Sequence, residues 1–143
     1  MMKPGQHAGS VLEAQDPVTA ATIAAVRRWL EAYIACDLDA VMAAVTEDCI
    51  VDLPYPAPDG KRVEGQDAVR AHWEKVFRSL PAEFEPEEMF AVGDRCVFRW
   101  VRHWVDADGK PRHIRGIDVF RVRDGKLAEK LVYGKANPPE WRG

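Results

Sequence analysis

The sequence has no apolar run long enough to cross a bilayer, no basic excess, no close cysteine pair and no phosphate-binding loop. Each absence removes a class of function. A spanning helix needs about 20 consecutive apolar residues, and the opening MMKPGQHAGSVLEAQ lacks the basic start and continuous apolar core of a secretory leader. The default expectation is a cytoplasmic protein with no membrane partner. A net charge of -3 at pH 7 argues against a nucleic-acid partner, which calls for a basic surface. The three cysteines, Cys36, Cys49 and Cys96, are widely spaced and form no CxxC, so they read as reduced, mostly buried thiols. The histidines have neither HxH nor HExxH spacing, and no Gly-rich phosphate loop or nucleophile elbow occurs. No metal and no cofactor are expected.

What is present fits one compact domain: 143 residues, 47% hydrophobic and 30% charged. It is expected over 17–136, after a loose arm at 1–16 that contains Pro4, Gly5 and Gly9, with a tail at 137–143. Asp16 and Pro17 make a helix cap and first turn, and Val26, Trp29, Leu30, Tyr33 and Ile34 follow at helical spacing. After a turn at Cys36 and Asp37, the positions Leu38, Val41, Met42 and Val45 predict a second, shorter helix. A short strand over 49–53 runs into PYPAPDGKRVEG, whose Pro54, Pro56 and Pro58 predict a loop without regular pairing. A third helix begins near Gln66, carries Val69, Trp73, Val76, Phe77 and Leu80 on one stripe, and stops at Pro81. The period then becomes two, with turns at Gly93-Asp94, Asp108-Gly109 and Asp124-Gly125, which predicts four antiparallel strands over 82–92, 95–105, 112–123 and 126–135. The class is α+β, with helices segregated on one sheet face.

One acid stands out. Alternation over RGIDVFRVRDGKLAEKLVYGK puts Asp118 on the face of Ile114, Gly116, Phe120 and Val122, while Arg115, Arg121 and Arg123 share the other face with Ile117 and Val119. A buried carboxylate is costly unless it is paired or hydrogen-bonded, so such an Asp is either locked to a partner or held for chemistry. Acids dominate residues 36–94 and bases dominate 95–126, which predicts cross-strand pairing of Glu83, Glu85 or Glu87 with arginines of the next strand.

The element order, the GQDAV helix start at Gly65 and the GIDVFRVRDGKLAEK ending resemble the nuclear transport factor 2-like superfamily, in its SnoaL-like and ketosteroid isomerase-like branch. The resemblance implies a cone-shaped, curved antiparallel sheet wrapped around three N-terminal helices, a cystatin-like α+β barrel. It also implies homodimerisation through the outer sheet face and a pocket for a small apolar organic ligand. Asp118 falls where that branch places a pocket carboxylate; in its isomerases an apolar site keeps that acid neutral so that it can donate a hydrogen bond. The rest of the isomerase set does not carry over, because Trp29 stands in place of the oxyanion-hole tyrosine and Leu53 in place of the general base, with Asp52 one residue away. An epoxide-hydrolase reading of the same fold fails at Val132, where a last-strand acid would align.

The expected function is cofactor-independent isomerisation, cyclisation or dehydration of a carbonyl-bearing ligand by proton transfer; the alternative is a non-catalytic binding or dimeric assembly module. Asp118 is the candidate acid, with His103 or Asp52 as base, although strand phase sets His103 outward with Arg99 unless a bulge intervenes. Tyr33, Tyr55, Trp73, Phe77, Phe98, Trp100 and Phe120 are the candidate walls, and Gly116 leaves space for a ligand to approach. His72 and His113 read as surface residues. The bland alternative for Asp118 is a structural acid bonded to Arg102, Arg112 or a backbone amide.

Overall fold

The computed structural model describes residues 16–79 and 83–135; most of the expected arm, the tail, and Leu80 and Pro81 lie outside them. Helix α1 (Pro17–Ile34) starts where Asp16 accepts hydrogen bonds from the amides of Val18 and Thr19, each at 3.1 Å, with Pro17 in the first turn. Cys36, at φ 53°, turns the chain, and Asp37 caps α2 (Leu38–Ala43) by accepting from the Ala40 amide at 3.1 Å. Val45, expected in this helix, instead opens strand β1 (Val45–Leu53). The Leu127 amide donates to the Ala44 carbonyl at 2.9 Å and Val45 pairs with Leu127, so sheet pairing ends the helix against its own apolar spacing.

The proline loop corrects the sequence reading. Its prolines occupy the turn only, and the chain returns as strand β2 (Lys61–Glu64), antiparallel to β1 from Ile50↔Glu64 to Leu53↔Lys61. Gly60 makes this possible: at φ 76° it donates to the Pro56 carbonyl at 2.7 Å, and a Cβ there would collide with the Leu53 carbonyl. Helix α3 (Gln66–Ser79) is tied to β1 because the Gln66 amide side chain donates to the carbonyls of Val45 and Thr46.

Strands β3 (Glu83–Val92), β4 (Arg95–Val105), β5 (Pro111–Arg123) and β6 (Lys126–Lys135) follow the expected meander. The sheet order is β2-β1-β6-β5-β4-β3, and β1 runs parallel to β6, so the expected antiparallel sheet is in fact mixed. Its inner face carries Cys96, Phe98, Trp100 and Arg102 from β4 and Ile114, Asp118, Phe120 and Val122 from β5, all buried. Trp29 of α1 centres the packing, with its ring 4.8 Å from Tyr33 and 5.6 Å from both Trp73 and Phe120. Removing an aromatic so placed costs about 3–5 kcal/mol.

On the outer face Glu87 reaches Arg99 of the next strand at 4.0 Å, a pairing expected from the charge pattern, and meets Arg115 of β5 at 2.9 Å, while Glu88, outside that expectation, meets Arg99 at 2.8 Å. Such exposed pairs contribute about 0–1 kcal/mol each. Cys49 and Cys96 are buried free thiols and Cys36 is exposed. Among the described residues no helix is long and apolar enough to cross a membrane.

Gly116 does not leave space for a ligand. The Trp100 indole lies where a Gly116 Cβ would stand, so the missing side chain admits a core tryptophan. Gly116→Ala should therefore displace Trp100 and lower stability by about 1–3 kcal/mol, read from urea unfolding monitored by tryptophan fluorescence. An unchanged midpoint would contradict this packing.

Candidate functional site

Asp118 is 3% exposed, flanked in register by Phe98 on β4 and Val132 on β6. Its partner is a residue that the sequence reading missed. Lys130 Nζ lies 3.6 Å from Asp118 Oδ1, both side chains being deeply buried. Strand phase explains both the contact and the miss. Continuing outward from the turn pairs Arg123↔Lys126 and Val122↔Leu127, and unbroken alternation would then turn Lys130 to the outer face. A one-residue bulge at Ala128 shifts the ladder to Arg121↔Glu129 and Phe120↔Lys130, which points Lys130 inward with Phe120 and sends Glu129 outward to Arg121 at 3.3 Å.

Burial pushes the Asp118 carboxyl above its ordinary range, against the opposing pull of the Lys130 charge and of the donors Trp100 and Lys130. Burial likewise drives the Lys130 ammonium down, with Asp118 opposing. The two affinities approach each other, so moving a proton between them is less costly than in water. Lys130 Nζ also stands 5.5 Å from the Trp29 ring centroid, a cation–π contact.

These groups face a cavity of about 20 Å³, room for roughly one water, between the sheet and helices α1 and α3. Of the candidate wall residues Tyr33, Trp73, Phe98 and Trp100 line it, with Trp29, Leu53 and Val132. His72 lines it too, correcting its reading as a surface residue. It sits one residue before buried Trp73 and three after buried Val69, on the edge of the apolar stripe. Burial, then the charges of Lys130, Lys61 and Lys75, lower its pKa to about 4, so the imidazole is neutral at pH 7. The Tyr33 hydroxyl is pushed up to about 12 by burial, with Arg102 opposing and Asp118 adding to the rise, and stays a donor. Tyr33, Phe84 and Arg102 also wall a second hollow of about 310 Å³, which Phe77 joins.

The other expected residues lie elsewhere. His103 points outward and its Nε2 meets Glu85 Oε2 at 2.8 Å, as plain strand phase requires. Asp52 turns to Arg62 at 3.5 Å, while its neighbour Leu53 takes the cavity side. Tyr55 is 40% exposed in the proline loop, and Phe120 backs Trp29 in the core. Arg112 holds Asp106 at 2.9 Å, so neither arginine considered as the mate of Asp118 fills that role. Among the described residues no three His, Cys, Asp or Glu side chains converge as metal ligands.

A curved mixed sheet packed against helices, with a buried acid on its concave side, is the fold of the nuclear transport factor 2-like class. Residues 26–130 match the SnoaL-like domain, and the chain belongs to that family. A nuclear transport factor 2-like protein of unknown function from Mesorhizobium loti is 31% identical, over 85% of this chain and 96% of that one, with a TM-score of 0.73. A protein assigned as a SnoaL-like polyketide cyclase from Jannaschia sp. CCS1 shares the fold at 17% identity, over 85% and 90% of the two chains, with a TM-score of 0.72. An LEH-like epoxide hydrolase from M. tuberculosis does so at 20% identity, over 83% and 86%, with a TM-score of 0.70. No curated protein sequence matches.

The depressed His72 value makes stability depend on pH. Its folded pKa, about 4, lies below the 6.5 of a free imidazole, so the unfolded chain takes up the proton first. The contribution is full above 6.5 and is lost as pH falls through the folded value. Discounted for partial exposure, this amounts to about 1–2 kcal/mol. His72→Gln should flatten the stability profile between these limits, measured by urea unfolding across the range; a variant as acid-sensitive as the parent would contradict the burial of His72.

Proposed function

We propose that this SnoaL-like protein is a cofactor-independent enzyme that moves a proton on an apolar carbonyl-bearing ligand, in an isomerisation, cyclisation or dehydration. The observation that carries this reading is Asp118, 3% exposed, at a cavity shared with Lys130 and His72. The one proton that the Asp118–Lys130 pair shares sits on Asp118 in the reacting form, is donated to the carbonyl oxygen, and returns to Asp118 when the enol collapses, with Lys130 neutral throughout. Neutral His72 takes the proton from the adjoining carbon, the base role first sought in His103 and Asp52. The ligand body occupies the hollow of about 310 Å³, and its reacting end passes Tyr33 and Phe84, which must move to admit it. Epoxide hydrolysis is unsupported, because Asp118 is the only carboxylate lining the inner cavity among the described residues and Val132 lines it too.

The test is deuterium exchange at the carbon beside the carbonyl in a panel of aryl ketones, followed by proton NMR in heavy water. The protein should accelerate exchange for at least one member, and Asp118→Asn should remove about 10²–10⁴-fold of that acceleration. No exchange, or equal exchange by the variant, would sink the reading. A non-catalytic binding role is favoured by one observation, the closeness of the inner packing, which leaves about 20 Å³. Ligand binding without exchange would select it.

We also propose a homodimer through the outer sheet face. Phe90, Val97, Val119 and Leu131 follow one another in register across four strands of that face, and Phe90 is 51% exposed. Sedimentation should find a dimer at micromolar concentration and a monomer for Val119→Glu, and a parent protein that is monomeric throughout would overturn this assignment.

A further inference from the structure

Arg102 is the buried charge that the acid–lysine pair does not account for. It extends from the inner face of β4, is 6% exposed, and walls both the inner cavity and the larger hollow. The arginines at the surface of the sheet hold carboxylates: Arg99 holds Glu88, Arg115 holds Glu87 and Arg121 holds Glu129. Among the described residues Arg102 has no hydrogen bond or ion pair, and its contact is the Phe84 ring, 5.9 Å from the guanidinium carbon. Glu83 stands at the hollow as well, but it is exposed and makes no ion pair with Arg102 within 4.0 Å.

The surrounding charges do not balance. Asp118 is matched by Lys130, His72 is neutral at pH 7, and the Tyr33 hydroxyl keeps its proton. Among the described residues one cation, Arg102, is left over. Burial lowers the Arg102 pKa with Tyr33 opposing, but a guanidinium starts so high that it stays charged at neutral pH. An uncompensated buried charge costs several kcal/mol, and a planar fork of donors facing an open hollow matches a carboxylate, which it can hold through two parallel bonds.

We propose that the ligand carries a carboxylate as well as its carbonyl, and that Arg102 receives that carboxylate at the neck between the inner cavity and the outer hollow. The inference rests on the preceding reading of this space as a ligand site and narrows its occupant to an aryl or alkyl keto acid. Arg102 is then a substrate-binding residue that sets which end of the ligand faces Asp118. The Phe84 and Tyr33 rings beside it form the apolar collar through which the remainder of the molecule passes.

Two matched probes test this, 3-benzoylpropionate and its neutral carboxamide, with binding read from quenching of the tryptophans that line the cavity and from calorimetry. The acid should bind about tenfold or more tightly than the amide. That preference should vanish in Arg102→Met and in Arg102→Gln and persist in the outer-face control Arg99→Met. Without ligand, Arg102→Met should melt at a higher temperature than the parent, the opposite of what a structural ion pair would give. Equal binding of acid and amide, a preference that survives both Arg102 variants, or no binding of either probe at millimolar concentration would each overturn the proposal. Binding of the acid without hydrogen exchange would leave the Arg102 assignment standing and remove the catalytic reading. Exchange on neutral ketones with no preference for the acid would do the reverse.

Discussion

The cost of keeping Asp118 and Lys130 out of water is the constraint on which the concave side of this protein depends. Two ions at 3.6 Å recover their lost hydration only if the medium between and around them is of low polarity and the backbone holds them in place. Trp29, Phe98 and Trp100 supply the first condition, and the central strands β5 and β6 the second. The same medium pushes the carboxyl up and the ammonium down, so the pair is both a structural cross-link and a place where a proton can change owner cheaply. Structural and chemical roles are therefore not alternatives for Asp118. Removing either partner leaves a lone buried charge, and the variants most informative about chemistry are also those most disturbing to the fold.

Much of this was legible because period-two alternation is strict wherever a sheet has one buried face. The inward set on β4 and β5, the outward phase of His103 and the turn at each Gly follow from counting residues, and the structure agrees position by position. What could not be counted was a bulge. Nothing in KLAEKLVYGK distinguishes a regular strand from one with Ala128 extruded, yet that residue decides whether Lys130 meets Asp118 or solvent. The same limit applies at Val45, whose helical spacing was real but was overridden by pairing with Leu127. Strand β2 was hidden by prolines that turned out to shape the loop before it. Helix α3 concealed His72 differently. A residue on the edge of an apolar stripe is buried or exposed according to what packs beside it, and Lys130 and Leu53, its companions at the cavity, are distant in sequence.

The two spaces on the concave side have different physical characters. The inner one, about 20 Å³, is small and holds the opposed pair, while the outer one, about 310 Å³, is open and bordered by rings and Arg102. Tyr33 and Phe84, with ring centroids 5.4 Å apart in an edge contact, divide them. Rotating an aromatic ring within such a contact forfeits about 0.5–1.5 kcal/mol of pair interaction, well within what a bound ligand can return by burying its own apolar surface. The closed inner cavity is therefore compatible with access. It also protects the acid–lysine pair from bulk water, which would restore ordinary proton affinities to both groups.

Arg102, buried without an ionic partner among the described residues, works against stability in a way that Asp118 and Lys130 do not, since they compensate each other. Within a domain of this size the folded state is favoured by only about 5–15 kcal/mol, so several kcal/mol held at one unneutralised guanidinium is a large fraction of the whole. On the proposed reading of the site, a ligand anion would recover part of that energy on binding, and the recovered part would be available to move Tyr33 and Phe84 and to orient the carbonyl toward Asp118. Under that proposal the strain at Arg102 and the closure at the aromatic collar would belong to one design: the first would supply, only when the matching anion arrives, the work that the second requires.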